Sequence, residues 1–241
     1  MTASLLHTLA TAHRILEMEG HGDMTLGHLS ARDPDGRGFW MKRNAIGLGE
    51  VMGPEDFVLL SFDGEQLEGA GRSHSEWPIH SQIYRRRDDV QVVAHTHPYH
   101  ACVFSAADEP LRAVTLEANY FELPVPRHEN AVALIKTVPL GDELAAVMGD
   151  NFAVLMANHG VTFCGTSVEH ATLMGIFLEK ACRAQLAIQA SGIRWAPLPA
   201  AVEAERRGQI MTPVHIDHSW RFYERKLEAL TGGRPLFGAA G

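Results

Sequence analysis

The chain has 241 residues, 46% of them hydrophobic and 21% charged, which is enough for a sizeable core in one large domain. A net charge of −8 and a pI near 5.9 argue against a nucleic-acid binder. Three scattered cysteines, Cys102, Cys164 and Cys182, argue against a disulfide scaffold and fit a reducing cytoplasm.

In chain order, Leu5, Leu9, Ala12 and Leu16 recur at helical spacing, so residues 4–19 are expected to form an amphipathic helix stopped by Gly20. This opening segment has no basic region or long apolar run and is not read as a signal peptide. A glycine-rich turn leads to a strand near 27–32, and a second short strand is expected through Phe39-Trp40-Met41. The stretch 58–69, VLLSFDGEQLEG, predicts a hairpin about Asp63-Gly64. Residues 75–87 predict a helix with Ser75 as N-cap and Pro78 in the first turn. Its end, Arg85-Arg86-Arg87 before Asp88-Asp89, reads as a solvated face. DVQVVAHTH, 89–97, predicts a buried strand. Helices are expected at 129–137 and 140–149, the second closed by Gly149. FAVLMANHGVTFCG, 152–165, predicts two strands flanking an Asn158-His159-Gly160 turn, with Gly160 there for backbone reasons. Thr166-Ser167-Val168-Glu169 resembles a capping box opening a long helix that ends near Ser191-Gly192. A linker, 195–201, then leads to a helix around 217–230. Strands mixed with helices, with two antiparallel pairs, predict a layered α/β domain.

Fourteen histidines are many for this length and direct attention to metal or acid–base chemistry. Side chains two apart on a strand share a face, so His95 and His97 project together with backbones roughly 6–7 Å apart. The pair admits two readings: polar residues at a strand end, or two ligands of one metal. His159 is either a polar turn residue or a third nitrogen donor. Glu76, near the start of its helix, is either an acid favoured by the helix dipole or a fourth ligand. Three imidazoles and a carboxylate would suit one zinc, manganese or iron ion per subunit.

Several motifs in order resemble the class II aldolase/adducin family over about residues 5–190. They are GHLSAR, GEVMGPEDFVLLSFDGEQLEG, SEWPIHSQIYRRRDDVQVVAHTHP, NHGVTFCG and HATLMGIFLEKACRAQ. The resemblance implies a three-layer α/β/α domain with a mainly antiparallel central sheet, spanning 1–194. Residues 195–241 would form a linker and helical tail packing on the same domain or on a neighbouring subunit. It implies metal ligation by His95, His97 and His159, with Glu76 as catalytic acid/base that can also ligate. It further implies a homotetramer with a small-molecule substrate, which the cysteine usage places in the cytoplasm.

The departures from the phosphate-using members are specific. Where those carry a small neutral cradle, this chain has His28, Asn44-Ala45 and His74-Ser75. The expected substrate-binding residues are therefore His28, Arg43, Asn44, His74 and Ser75, with Arg43, His28 and His74 able to pair with an anion. That pattern and the tail PVHIDHSWRFYERKL are closer to the branch that decarboxylates hydroxylated aromatic or heteroaromatic acids. The expected function is a metal-dependent carbon–carbon lyase in which a cation stabilises enolate-like charge beside the breaking bond. The alternatives are an aldolase acting on a non-phosphorylated hydroxy-keto compound, an adducin-like module without catalysis, and an iron-dependent oxygenase. His80 is read as support or packing, His100 as peripheral, and Trp220 and Phe222 as packing. His215, His218 and Tyr223 are tail residues that a site could recruit.

Overall fold

A computed structural model describes residues 1–130 and 134–237. In chain order the elements are α1 (Thr2–Met18), β1 (His28–Arg32), β2 (Phe39–Lys42), β3 (Phe57–Leu60), β4 (Gln66–Glu68), α2 (Trp77–Arg86), β5 (Val92–Thr96), α3 (Tyr99–Ser105), β6 (Arg127–His128), α4 (Val138–Met148), β7 (Ala153–Met156), β8 (Gly160–Gly165), α5 (Val168–Ser191), α6 (Ala200–Ile210) and α7 (Pro213–Thr231). The strands form one eight-stranded sheet in the order β4-β3-β2-β1-β5-β8-β7-β6. Every pairing is antiparallel except β6 with β7.

Period-two alternation sorts the core into the two faces of this sheet. Leu29, Ala31, Trp40, Val92, Ala94, Val161 and Phe163 pack with α1 and α5. Phe39, Met41, Val58, Leu60, Val93 and Val154 pack with Ile79, Ile83 and Tyr84 of α2 and Leu144 and Met148 of α4. The result is the expected α/β/α layering. His95 shares the parity of Val93, so it emerges on the α2 face, opposite His28 of β1. Trp220, Tyr223 and Leu227 of α7 join the core on the other face. Lys180 of α5 donates to the Tyr223 hydroxyl at 2.9 Å. No helix among the described residues is long and apolar enough to cross a membrane.

Several local expectations are corrected. Ser75 does not cap α2. Trp77 N–H donates to His74 C=O, a turn that consumes Ser75 and leaves Glu76 in the N-cap position. Ser167, not Thr166, caps α5, its hydroxyl accepting from His170 N–H at 3.1 Å. The expected linker 195–201 runs into α6, and the last helix begins at Pro213 rather than 217. Of the helix expected at 129–137, residues 131–133 lie outside the described residues, and the described remainder is not helical. The basic run at the end of α2 is paired with surface acids, Arg85 with Asp63, Arg86 with Asp142 and Arg87 with Asp89.

Candidate functional site

The sheet brings three histidines to one of its ends. His95 is the penultimate residue of β5, His97 follows just beyond the strand, and His159 sits in the β7–β8 turn that β8 carries alongside β5. One nitrogen from each lies within 4.8 Å of the others. Asn158 takes the left-handed conformation, φ 57°, that aims the turn. Gly160, expected for backbone reasons, has another role. A Cβ there would meet His97 Cδ2 at 2.5 Å and Thr96 O at 2.8 Å, so its missing side chain is the space that His97 occupies.

Hydrogen-bond partners assign the tautomers. His95 Nδ1 lies 3.0 Å from Val161 O and donates to it, so Nε2 carries the lone pair. His97 Nδ1 faces Asp23 Oδ2 at 3.3 Å, which likewise turns the lone pair of Nε2 away from the carboxylate. The two Nε2 atoms stand 3.1 Å apart. Two lone pairs at that separation repel unless a cation or proton lies between them, and the donor set fits a divalent transition metal. Protonation is opposed on both rings. Burial first, then His97 and His159, hold His95 well below the usual imidazole range. Burial and then His159 also lower His97, against the pull of Asp23.

His97 and His159 open on a cavity of about 820 Å³. Its wall includes Asp23, Asn44, His74, Ser75, Glu76, His97 and His159, with Leu26, Tyr99, Cys102 and Leu134 as apolar surface. Glu76 lies outside the compact three-histidine group, and its Oε1 accepts from Ile135 N–H at 3.0 Å. Of the residues expected to contact substrate, Asn44, His74 and Ser75 lie on the wall. His28 and Arg43 are not. Arg43 pairs with Asp56 at 3.2 Å. His28 is buried behind His74, their ring centroids 4.5 Å apart.

His28 belongs to a buried column instead. Its Nδ1 bonds His80 Nε2 at 2.7 Å, His80 Nδ1 bonds Ser30 Oγ at 2.7 Å, and Ser30 Oγ bonds Tyr84 OH at 2.8 Å. Burial pushes His80 and His74 down to about 3 and His28 well below its usual range. The column therefore consists of neutral rings. Sequence reasoning missed Asp23. The one signal was a carboxylate in a loop ahead of the paired histidines, of the kind that orients metal-ligating imidazoles.

The layered sheet and the histidine group define an α/β/α enzyme fold with a place for a metal. Residues 7–186 match the class II aldolase and adducin N-terminal domain, and the chain belongs to that family. It is 28% identical over 226 residues to a 3,4-dihydroxyphthalate decarboxylase of Arthrobacter keyseri, covering 84% of this chain and 86% of that protein. It is 29% identical over 190 residues to the meiotically up-regulated gene 14 protein of Schizosaccharomyces pombe, covering 78% and 74%. Among solved structures, an L-fuculose 1-phosphate aldolase from Glaciozyma antarctica superposes with a TM-score of 0.83 at 25% identity, covering 97% of this chain and 92% of that one.

Proposed function

We propose that this protein is a metal-dependent carbon–carbon lyase that decarboxylates a small hydroxylated aromatic or heteroaromatic acid. The observation that carries the reading is the pair of inward lone pairs on His95 and His97, beside His159 and in one cavity with Glu76. The likeness to the dihydroxyphthalate decarboxylase supports the reaction class. The wall supports the substrate class. Among its described residues none is Lys or Arg, while Leu26, Tyr99 and Leu134 offer apolar surface to a ring.

His95, His97 and His159 would hold the ion, which supplies stabilisation of negative charge on an oxygen beside the breaking bond. The chain's own residues do the rest. Asn44, His74 and Ser75 orient the substrate against the wall. Glu76, with Oε1 held by Ile135 N–H, keeps its other oxygen for proton delivery to the carbon that CO2 leaves. One carboxylate and one proton thus become one C–H bond and one CO2. The working unit in this reading is a cytoplasmic homo-oligomer. The superposition on a fuculose 1-phosphate aldolase favours a second reading, an aldolase on a non-phosphorylated hydroxy-keto compound, in which Glu76 moves the enediolate proton.

The test is a panel of ortho-hydroxy aromatic acids and hydroxy-keto acids offered to protein loaded with zinc, manganese or, anaerobically, iron, with CO2 and aldehyde both assayed. CO2 without aldehyde is expected, falling by about 10²–10⁴-fold in Glu76→Gln. Aldehyde release would replace the first reading by the second, and undiminished CO2 release in Glu76→Gln would remove the acid assignment.

A further inference from the structure

Lys42 ends β2 with no exposed surface. Its ammonium donates to two backbone carbonyls, Thr25 O at 3.1 Å and Ile46 O at short range. Among the described residues no carboxylate lies within ion-pair distance of it; Glu50 and Glu17 attract it from further off, while Arg43 repels it. Burial without a counter-ion costs stability, and it pushes the ammonium down to about 7. A lysine kept under those conditions is explained by what it holds.

It holds two turns of the cavity rim. Thr25 lies in the Asp23–Leu26 turn, closed by Leu26 N–H on Asp23 O at 2.8 Å. Ile46 follows Asn44 and Ala45, where Asn44 N–H is anchored on Arg72 O at 2.7 Å and Asn44 Oδ1 accepts from Ala45 N–H at 2.8 Å. The two turns touch: a Cβ at Gly47 would come within 2.8 Å of Met24 O. Each contains a non-glycine residue in the left-handed region, Met24 at φ 51° and Ala45 at φ 66°, and the other such residue among those described, Asn158, precedes His159. Such conformations persist only where the surroundings over-determine them. Among the described residues, Lys42 is the one side chain whose hydrogen bonds join both turns. The first presents Asp23 to His97, and the second presents Asn44 to the cavity.

We propose that Lys42 is a positioning residue of the metal centre, locking the two rim turns so that Asp23 orients His97 and Asn44 faces the cavity. The proposal rests on the metal-site reading above. The test uses the full chain, stripped of metal, and follows Co²⁺ binding by its visible absorption and by chelator competition. The proteins are wild type, Asp23→Asn, Lys42→Met, Lys42→Gln and the double variant Asp23→Asn/Lys42→Met. Asp23→Asn is expected to weaken Co²⁺ by about 10–100-fold, as removal of a ligand's hydrogen-bond partner does. Lys42→Met is expected to weaken it by about tenfold, because it acts through the same carboxylate, and the double variant should bind no more weakly than the weaker single one. Lys42→Gln, which keeps a donor for one carbonyl, should fall between wild type and Lys42→Met. If Lys42→Met does not fold, Lys42→Gln decides, with faster amide exchange expected in 22–27 and 43–48 alone. Wild-type Co²⁺ affinity in the Lys42 variants would overturn the proposal while leaving the metal site standing, as would losses that multiply in the double variant. A wild-type protein that binds no Co²⁺ would overturn both.

Discussion

Two sets of buried histidines adjoin on the α2 face of the sheet, and their ring nitrogens are used differently. In the column, His80 spends both nitrogens on protein partners, His28 and Ser30, and lies parallel to Phe39 with an interplanar angle of 9°. His13, on the opposite face, does the same with Leu9 O and Leu29 N–H. At the sheet end, His95 spends one nitrogen on Val161, His97 sets one facing Asp23 at 3.3 Å, and each aims the other at a shared point. Burial lowers the basicity of His80, His13, His95 and His97 alike, so depressed basicity does not separate them. What separates His80 and His13 from His95 and His97 is the second nitrogen, which has a hydrogen-bond partner in the first two and faces the other ring's nitrogen in the last two. A ring with both nitrogens filled has no donor left for a ligand, whereas convergent free nitrogens on neighbouring rings are what the proposed metal reading requires.

The sharpest way to break this comparison is to remove one ring from the sheet-end set. His97→Ala is expected to weaken Co²⁺ or Zn²⁺ by about 10²–10³-fold, one ligand's share of the ~10–16 kcal/mol typical of closed zinc sites. Secondary structure should be unchanged by circular dichroism. Wild-type metal content in purified His97→Ala, measured by elemental analysis, would end the distinction. The next effect is common to three fully buried rings outside the sheet-end set. His13, His21 and His80 are pushed down to about 3 in the folded chain, chiefly by burial, against 6.5 when unfolded. Between those values the unfolded chain binds protons that the folded chain refuses. Stability from these groups is therefore complete above pH 6.5 and falls as pH drops towards 3, by up to about 1.4 kcal/mol per pH unit for each ring. Metal-free protein followed by circular dichroism should unfold cooperatively above the range where carboxylates titrate. A native signal persisting at pH 3.5 would show that these rings accept protons in place.

How much of this was legible in the sequence depended on the range of the contact. The period of two put His95 and His97 on one face, and the tight turn put His159 near a strand end, because strand and turn geometry act over a few residues. The alternation of apolar residues gave the layers. Asp23 reaches His97 across the sheet end, so nothing near either residue announces the pair. Lys42 gave no signal in the sequence, because its burial comes from two loops folding over it. Gly160 was expected for the right position and the wrong cause, since the ring it makes room for comes from another strand. Arg43 looked like an anion clamp until Asp56 occupied it. The helix α6 was hidden because its exposed, polar surface gives it little apolar periodicity, and only Ile210 is buried.

The smallest expected effect gives the finest test of the comparison, because His80 and His95 lie on the same face and both approach His28. His80→Phe keeps a ring against Phe39 but removes the partner of His28 Nδ1 and of one Ser30 hydrogen bond, while Ser30 retains Tyr84. Leaving one buried polar group without a partner costs about 1–3 kcal/mol. The urea midpoint should fall accordingly with the slope unchanged. Metal stoichiometry should stay at the wild-type level, because neither His95 nor His97 is held through His80: Val161 and Asp23 hold them. If His80→Phe loses metal as His97→Ala does, the column is part of the metal centre, and a filled second nitrogen no longer sets a histidine apart from it.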